Sequence, residues 1–169
     1  PFCLTGRYGF KGNISAGDII NQIISLPDAA EISHVVFMGM GEPMDNIEEV
    51  LKACKILNSD WGLSISSRNI TVSTVGILPG IIEFLKRSDC NLTVSLHSPF
   101  PEERRLVVPA ENKYPAHQII YLLKSYPLVK KRRFSVAYVM IRDINDSERH
   151  LQALKELLSD SPIRVNLLP

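Results

Sequence analysis

The chain has 169 residues, 45% of them hydrophobic and 22% charged, an ordinary globular composition that excludes a disordered tail or linker. With 19 basic and 18 acidic residues, the formal net charge is +1, so bulk charge neither marks a nucleic-acid binder nor forbids one. No apolar run approaches the roughly 20 residues a membrane span needs, and no charged-apolar-small leader is present, so the expectation is a cytoplasmic protein with no membrane partner. The cysteines are Cys3, Cys54 and Cys90. An odd count without a leader argues for a reducing compartment and against a disulfide framework.

In chain order, residues 1–14 read as a loop punctuated by Cys3, Gly6, Gly9, Gly12 and Asn13. Ser15 is an N-cap with Asp18 three residues on, and Ile19, Ile20, Ile23 and Ile24 follow at helical spacing to about Leu26. Pro27 and Asp28 stop that helix. The run Val35-Val36-Phe37-Met38 reads as a buried strand from about His34, halted by Gly39, Gly41, Glu42 and Pro43. One carboxylate therefore stands where a strand ends and its backbone can approach a ligand closely. Asn46 or Asp45 caps the next helix, with Glu48 and Glu49 in its first turn and Ile47, Val50, Leu51, Cys54 and Leu57 on one stripe. Cys54 there reads as a small buried hydrophobe, and Cys90 as a residue leading into a strand.

A polar loop over 58–68 leads to a strand over 69–74 and a helix over 79–87. A strand over 91–97 follows, then proline-bounded loops over 98–115 and a helix over 116–126. A long apolar strand covers 133–141. Asp146 caps a last helix through Leu151, Leu154, Leu157 and Leu158, and a strand over 164–168 closes the chain. Strands alternating with helices predict a parallel sheet with right-handed crossovers. Five strands and no Gly-x-Gly-x-x-Gly point to a partial TIM-like barrel or an open sheet. A closed eight-unit barrel takes about 250 residues, and the opening loop and helix imply that the first strand is missing.

Strands buried on both faces are nearly continuous apolar runs, and three of these are not. Ile70 and Val72 alternate with Thr71 and Ser73; Leu92, Val94 and Leu96 with Thr93, Ser95 and His97; Val165 and Leu167 with Arg164 and Asn166. The apolar set can pack under helices, which leaves the polar set to line the inside. Thr71 and Thr93, deeper in their strands, are as readily paired with each other or with water as with a ligand. Ser73, Ser95, His97 and Asn166 fall at carboxyl ends, where parallel α/β folds place ligands. Glu42 beside them is suited to accept hydrogen bonds from an ammonium group. The basic run Lys130-Lys131-Arg132-Arg133 reads first as a solvated turn and second as an RNA-phosphate contact, and Arg7, Lys11, Arg104 and Arg105 share that ambiguity.

An ordered set of motifs runs through the chain. It comprises Cys3-Leu4-Thr5-Gly6, Gly9-Phe10, Gly39-Met40-Gly41-Glu42-Pro43 and Ile70-Thr71-Val72-Ser73-Thr74-Val75-Gly76, then Val94-Ser95-Leu96-His97, Asn145-Asp146-Ser147 and Val165-Asn166-Leu167-Leu168-Pro169. Together they closely resemble the radical SAM RNA methyltransferases of the RlmN/Cfr type. Gly-Glu-Pro leans toward the members that methylate C2 of an adenine in 23S rRNA, the C8 type being the alternative. The resemblance implies a partial (β/α)6 barrel that holds a 4Fe–4S cluster on a Cys-x3-Cys-x2-Cys loop, together with S-adenosylmethionine.

On that resemblance Cys3 matches the third cluster cysteine, the other two falling before Pro1, so the expectation is no cluster and weak S-adenosylmethionine binding on residues 1–169 alone. It also implies that Gly41 and Glu42 bind the aminoacyl end of S-adenosylmethionine and that Ser73 meets its carboxylate or ribose. Ser95, Leu96 and His97 would lie along ribose and adenine, with Asn166 contacting the same molecule from the last strand. No catalytic residue falls within 1–169: the methyl-carrying cysteine would lie beyond Pro169. Residues 1–169 would then be a fragment of the radical SAM core, with the N-terminal RNA-binding region and the C-terminal segment outside it. The implied partners are 23S rRNA, a possible tRNA substrate and an electron donor such as flavodoxin. Two other readings are a different radical SAM enzyme, such as a glycyl-radical-enzyme activase, and a non-catalytic barrel remnant.

Overall fold

The computed structural model describes residues 3–128 and 131–169, so Lys130 of the basic run lies outside the described residues, as does the side chain of Arg7. Five strands form one sheet in chain order: β1 (Val35–Phe37), β2 (Ile70–Thr74), β3 (Asn91–Ser95), β4 (Phe134–Val139) and β5 (Arg164–Leu168). Every neighbouring pair is parallel. Helix α1 (Ala16–Ile24) precedes β1, and α2 (Ile47–Asn58), α3 (Leu78–Arg87), α5 (Ala116–Ser125) and α6 (Glu148–Leu158) connect or follow the strands. A strand order that never reverses has no switch point and is the order of a barrel wall, as expected. No helix among the described residues is long and apolar enough to cross a membrane.

The alternation in the strands separates two faces. Ile70, Val72, Leu92, Val94, Phe134 and Val136 are buried in one cluster with Leu57, Ile81, Phe84, Ile119 and Leu123 of the helices. Thr71, Ser73 and Ser95, on the other face, are half-buried. On and just beyond β1, the edge strand of the sheet, Val36 and Met38 are each 58% accessible.

Local signals at the helix ends are mixed. Ser15 and Asp18 form the predicted capping box: the Ser15 hydroxyl accepts from the Asp18 N–H at 3.1 Å, and the Asp18 carboxylate accepts from the Ser15 N–H at 3.0 Å. Asn46 stands at the N-cap of α2 but makes no cap bond; its side-chain amide donates instead to the Ile14 carbonyl at 2.8 Å. The N-cap of α6 is Ser147 rather than Asp146, whose carboxylate accepts from the Asp143 N–H in the turn before it.

The expectation of loops throughout 98–115 is corrected. Helix α4 (Pro101–Val107) forms there, followed by a 3-10 turn over Pro109–Asn112. Pro101 opens α4, and Glu102 and Glu103 occupy its first turn. Its buried residue is Arg104 rather than a hydrophobe, so no apolar periodicity announced it.

Gly80 couples the first functional loop to α3. A Cβ there would lie 2.5 Å from Met44 Cβ and 2.7 Å from the Met44 carbonyl oxygen. An alanine in a helix interior ordinarily gains about 1 kcal/mol over glycine. Here backbone overlap outweighs that gain, so Gly80→Ala is expected to destabilise the protein by about 1–3 kcal/mol. Urea denaturation followed by circular dichroism checks the sign, and a stabilised variant would show that Met44 can move away without strain.

Candidate functional site

Beyond β1 the chain turns at Gly41, whose φ of 105° lies in the left-handed region, and no atom stands within 4 Å of where a side chain would begin. The backbone there is open to a ligand. The Glu42 carboxylate is turned inward. Its Oε1 accepts from the Met44 N–H at 3.0 Å and the Thr74 hydroxyl at 2.6 Å, and its Oε2 accepts from the Val75 N–H at 2.8 Å. Glu42 thus ties the end of β1 to the end of β2. Burial raises its pKa above the ordinary glutamate value, against the pull of these hydrogen bonds. Three donors leave acceptor capacity on the carboxylate for one more.

The inner face runs across the sheet in register. Ser73 lies opposite Thr93, and Thr93 opposite Ser135; Ser95 lies opposite Ala137, and Ala137 opposite Asn166. The hydroxyls of Thr93 and Ser135 pair at 2.7 Å, so Thr93 is satisfied within the fold. Ser73 and Ser95 are half-buried and Asn166 is exposed. Among the described residues no hydrogen bond uses the side chains of these three. Together with the open turn at Gly41, they place two hydroxyls and an amide at one end of the sheet's inner face. That chemistry suits the carboxylate, ribose and adenine of S-adenosylmethionine.

Leu96 and His97 point elsewhere. The Leu96 side chain is fully buried in the core, its N–H donates to the Ala137 carbonyl, and its carbonyl accepts from Ser98 N–H and Arg104 Nε. His97 adopts a left-handed φ of 60°, which breaks the strand alternation and turns the ring inward to 2% exposure. Its Nδ1 accepts from the Val139 N–H at 3.1 Å, fixing that nitrogen as the unprotonated one. Burial, with a smaller push from the Arg104 charge, lowers its pKa to about 4. The imidazole is therefore neutral at pH 7 and holds the end of β3 to β4.

Two residues that shape this end of the sheet were not legible as such. Arg104 is fully buried. Its Nε donates to the Leu96 carbonyl at 3.1 Å and its Nη2 to those of Val75 and Ser95 at 2.7 and 2.8 Å, while its Nη1 pairs with Glu111. Both alternatives for Arg104, a solvated residue and an RNA-phosphate contact, are corrected, because none of its charge reaches solvent. Asn145, 4% exposed, donates to the carbonyls of His97 and Val139 and accepts from the Ile141 N–H, so one amide joins the ends of β3 and β4. In the sequence, Asn145 stands out only as part of the Asn145-Asp146-Ser147 motif, which gives it no role of its own.

Cys3 is exposed before a 3-10 turn, Leu4–Tyr8. A hydrogen bond from the Thr5 side chain, helped by the N–H groups of Thr5 and Gly6, holds its thiol below the ordinary range, which suits a thiolate ligand. Cys54 and Cys90 are buried in the core, where their proximity holds the Cys54 thiol above the ordinary range and the Cys90 thiol below it. Among the described residues no group of three or more His, Cys, Asp or Glu is placed to hold a metal ion. Among the described residues, Cys3 is the cysteine whose thiol is exposed.

A family model for the Radical SAM superfamily matches residues 1–154. The chain belongs to the radical SAM superfamily. This radical SAM chain is 46% identical over 167 residues to a Parabacteroides distasonis protein named "Probable dual-specificity RNA methyltransferase RlmN", covering 99% of the chain and 49% of that protein. It is 38% identical over 168 residues to the dual-specificity RNA methyltransferase RlmN of Syntrophotalea carbinolica, covering 99% and 45%. In structure it resembles a radical SAM methyltransferase from Sphaerobacter thermophilus, with TM-score 0.92 and 34% identity over 99% of this chain and 51% of that one. The radical SAM chain spans about half the length of the curated relatives it matches.

Proposed function

We propose that residues 1–169 are the central barrel portion of a cytoplasmic radical SAM enzyme that transfers a methyl group from S-adenosylmethionine to C2 of an adenine in 23S rRNA, with tRNA as a second substrate. The observation that carries the reading is the inner face itself. Ser73, Ser95 and Asn166 offer polar side chains that make no hydrogen bond among the described residues, at the same end of a parallel barrel wall as the open backbone of Gly41. Similarity to proteins named RNA methyltransferases, over 99% of the chain, supports the choice of substrate class.

In this reading the Gly41 backbone admits the aminoacyl end and the remaining acceptor capacity of Glu42 receives its ammonium. Ser73 meets the carboxylate or ribose, and Ser95 and Asn166 lie along ribose and adenine. Leu96, His97, Asn145 and Arg104 fix the strand ends on which these groups stand. Cys3 contributes one thiolate to a 4Fe–4S cluster whose remaining cysteines come from outside residues 1–169. When bound, cluster and S-adenosylmethionine supply one-electron chemistry, with an electron donor such as flavodoxin.

The test uses the full-length enzyme reconstituted anaerobically with iron and sulfide, then supplied with a reductant, S-adenosylmethionine and a 23S rRNA transcript. Mass analysis of the digested RNA is expected to show 2-methyladenosine. 8-Methyladenosine would assign the other regiochemistry, and unmethylated adenine alone would sink the proposal. In the same protein Ser73→Ala with Asn166→Ala should weaken S-adenosylmethionine binding by about tenfold, the loss of one or two net hydrogen bonds. Unchanged affinity by calorimetry would remove the inner face as the site.

A further inference from the structure

At the opposite end of the sheet, Arg68, Lys131, Arg132, Arg133 and Arg164 line one groove of about 500 Å³, and no carboxylate lines it with them. Arg68 precedes β2, Lys131 to Arg133 precede β4, and Arg164 opens β5. Strands of about five residues separate this groove from the candidate cofactor face by roughly 16 Å, at about 3.3 Å per residue. The chain as a whole carries a net charge of only +1, so five converging cations are a local feature rather than background.

Arg132 fixes one wall of this groove. It is 3% exposed. Its Nη1 donates to the Leu85 carbonyl at 3.2 Å, its Nη2 lies 3.9 Å from the Asp89 carboxylate, and its guanidinium stands 5.9 Å from the Tyr126 ring. These contacts turn the guanidinium away from solvent, so Arg132 fixes the backbone on which Lys131 and Arg133 stand rather than meeting a ligand itself. The side chains of Arg68, Lys131, Arg133 and Arg164 are exposed. A phosphate suits them, because a guanidinium presents fixed donors that match phosphate geometry. Arg133 is already oriented, its Nη2 donating to the Arg68 carbonyl at 2.8 Å.

We propose that this groove binds a phosphate group of an RNA backbone through the exposed cations Arg68, Lys131, Arg133 and Arg164, on a wall that the buried Arg132 holds in place. The choice of RNA rests on the methyltransferase reading, while the phosphate site does not. Cations spread from β2 across to β5 cover three strand spacings of about 4.8 Å, more than one phosphate occupies. The groove would hold a stretch of RNA away from the reacting base, adding affinity without reading sequence.

The experiment is a pair of NMR titrations of the protein, one with inorganic phosphate and one with a single-stranded RNA oligonucleotide. Arg68→Gln with Arg164→Gln is the variant, and Lys131→Gln is a second in case the first folds poorly. Phosphate should shift the amides of 131–133 and 164 saturably, and the variant should weaken it at least tenfold. For RNA, the slope of log affinity against log salt should fall by about 1.4 in the double variant, about 0.7 per lost phosphate contact on a single strand. Scattered phosphate shifts that the variants do not change would overturn the site. Phosphate binding at the groove with an unaltered RNA slope would overturn the RNA source. Absence of methyl transfer by the full-length enzyme would sink the methyltransferase reading and leave the phosphate titration standing.

Discussion

Replacing Arg104 with methionine is expected to lower the stability of the protein by about 3–5 kcal/mol, the cost of breaking a buried ion pair by removing one partner. The loss falls on several groups at once. The Glu111 carboxylate is left buried without its cation, and the carbonyls of Val75, Ser95 and Leu96 lose donors at the ends of two strands. Glu111 also accepts from the Ala116 N–H at the start of α5, so its disturbance reaches a helix. Lysine is no substitute, since one ammonium cannot reach three carbonyls and a carboxylate in the guanidinium's geometry. Urea denaturation checks the value. Arg104→Met combined with Glu111→Leu should recover part of the loss, because both charges are then gone. A single-variant loss below about 1 kcal/mol would show that water replaces the arginine at the strand ends.

Acidification is expected to cost the fold about 3 kcal/mol at His97. Its folded pKa is about 4, against the ordinary value of 6.5, because the ring is buried and faces the Arg104 charge. The unfolded chain therefore takes up this proton first, and stability that is complete above pH 6.5 drains away as the pH falls toward 4, at 1.36 kcal/mol per pH unit of separation. Glu42 acts with the opposite sign: burial raises its pKa, so acid relieves rather than adds to its cost in the folded state. Comparing the protein with His97→Gln isolates the histidine, since glutamine can still accept from the Val139 N–H but cannot be charged. The denaturation midpoint of the parent should fall further between pH 7 and pH 4.5 than that of the variant. Parallel pH profiles would show that His97 charges without unfolding its surroundings.

Much of the site was legible because strand periodicity is a local property. Ser73, Ser95 and Asn166 were picked out by position parity and by their place at the carboxyl ends of strands, and the register sets them along one face. Glu42 was conspicuous as a lone acid after a buried strand, but its burial made it a clasp between β1 and β2 as well as a ligand candidate. Parity failed at His97, because a single left-handed residue after β3 sends the ring into the protein. It failed for α4, whose inward-facing residue is a charge.

By itself, the amino-acid sequence determined the alternation of strand and helix, the apolar outer and polar inner faces of the sheet, and the capping box at Ser15. These depend on residues within a few positions of one another. Only the tertiary structure decided where charge and amide groups separated by dozens of residues meet. Arg104 binds carbonyls of two strands, Asn145 bridges to His97, and cations from Arg68 to Arg164 converge at the far end of the sheet. A polar side chain carries no periodic signature of burial, so its role depends on which partners the fold brings within hydrogen-bond reach.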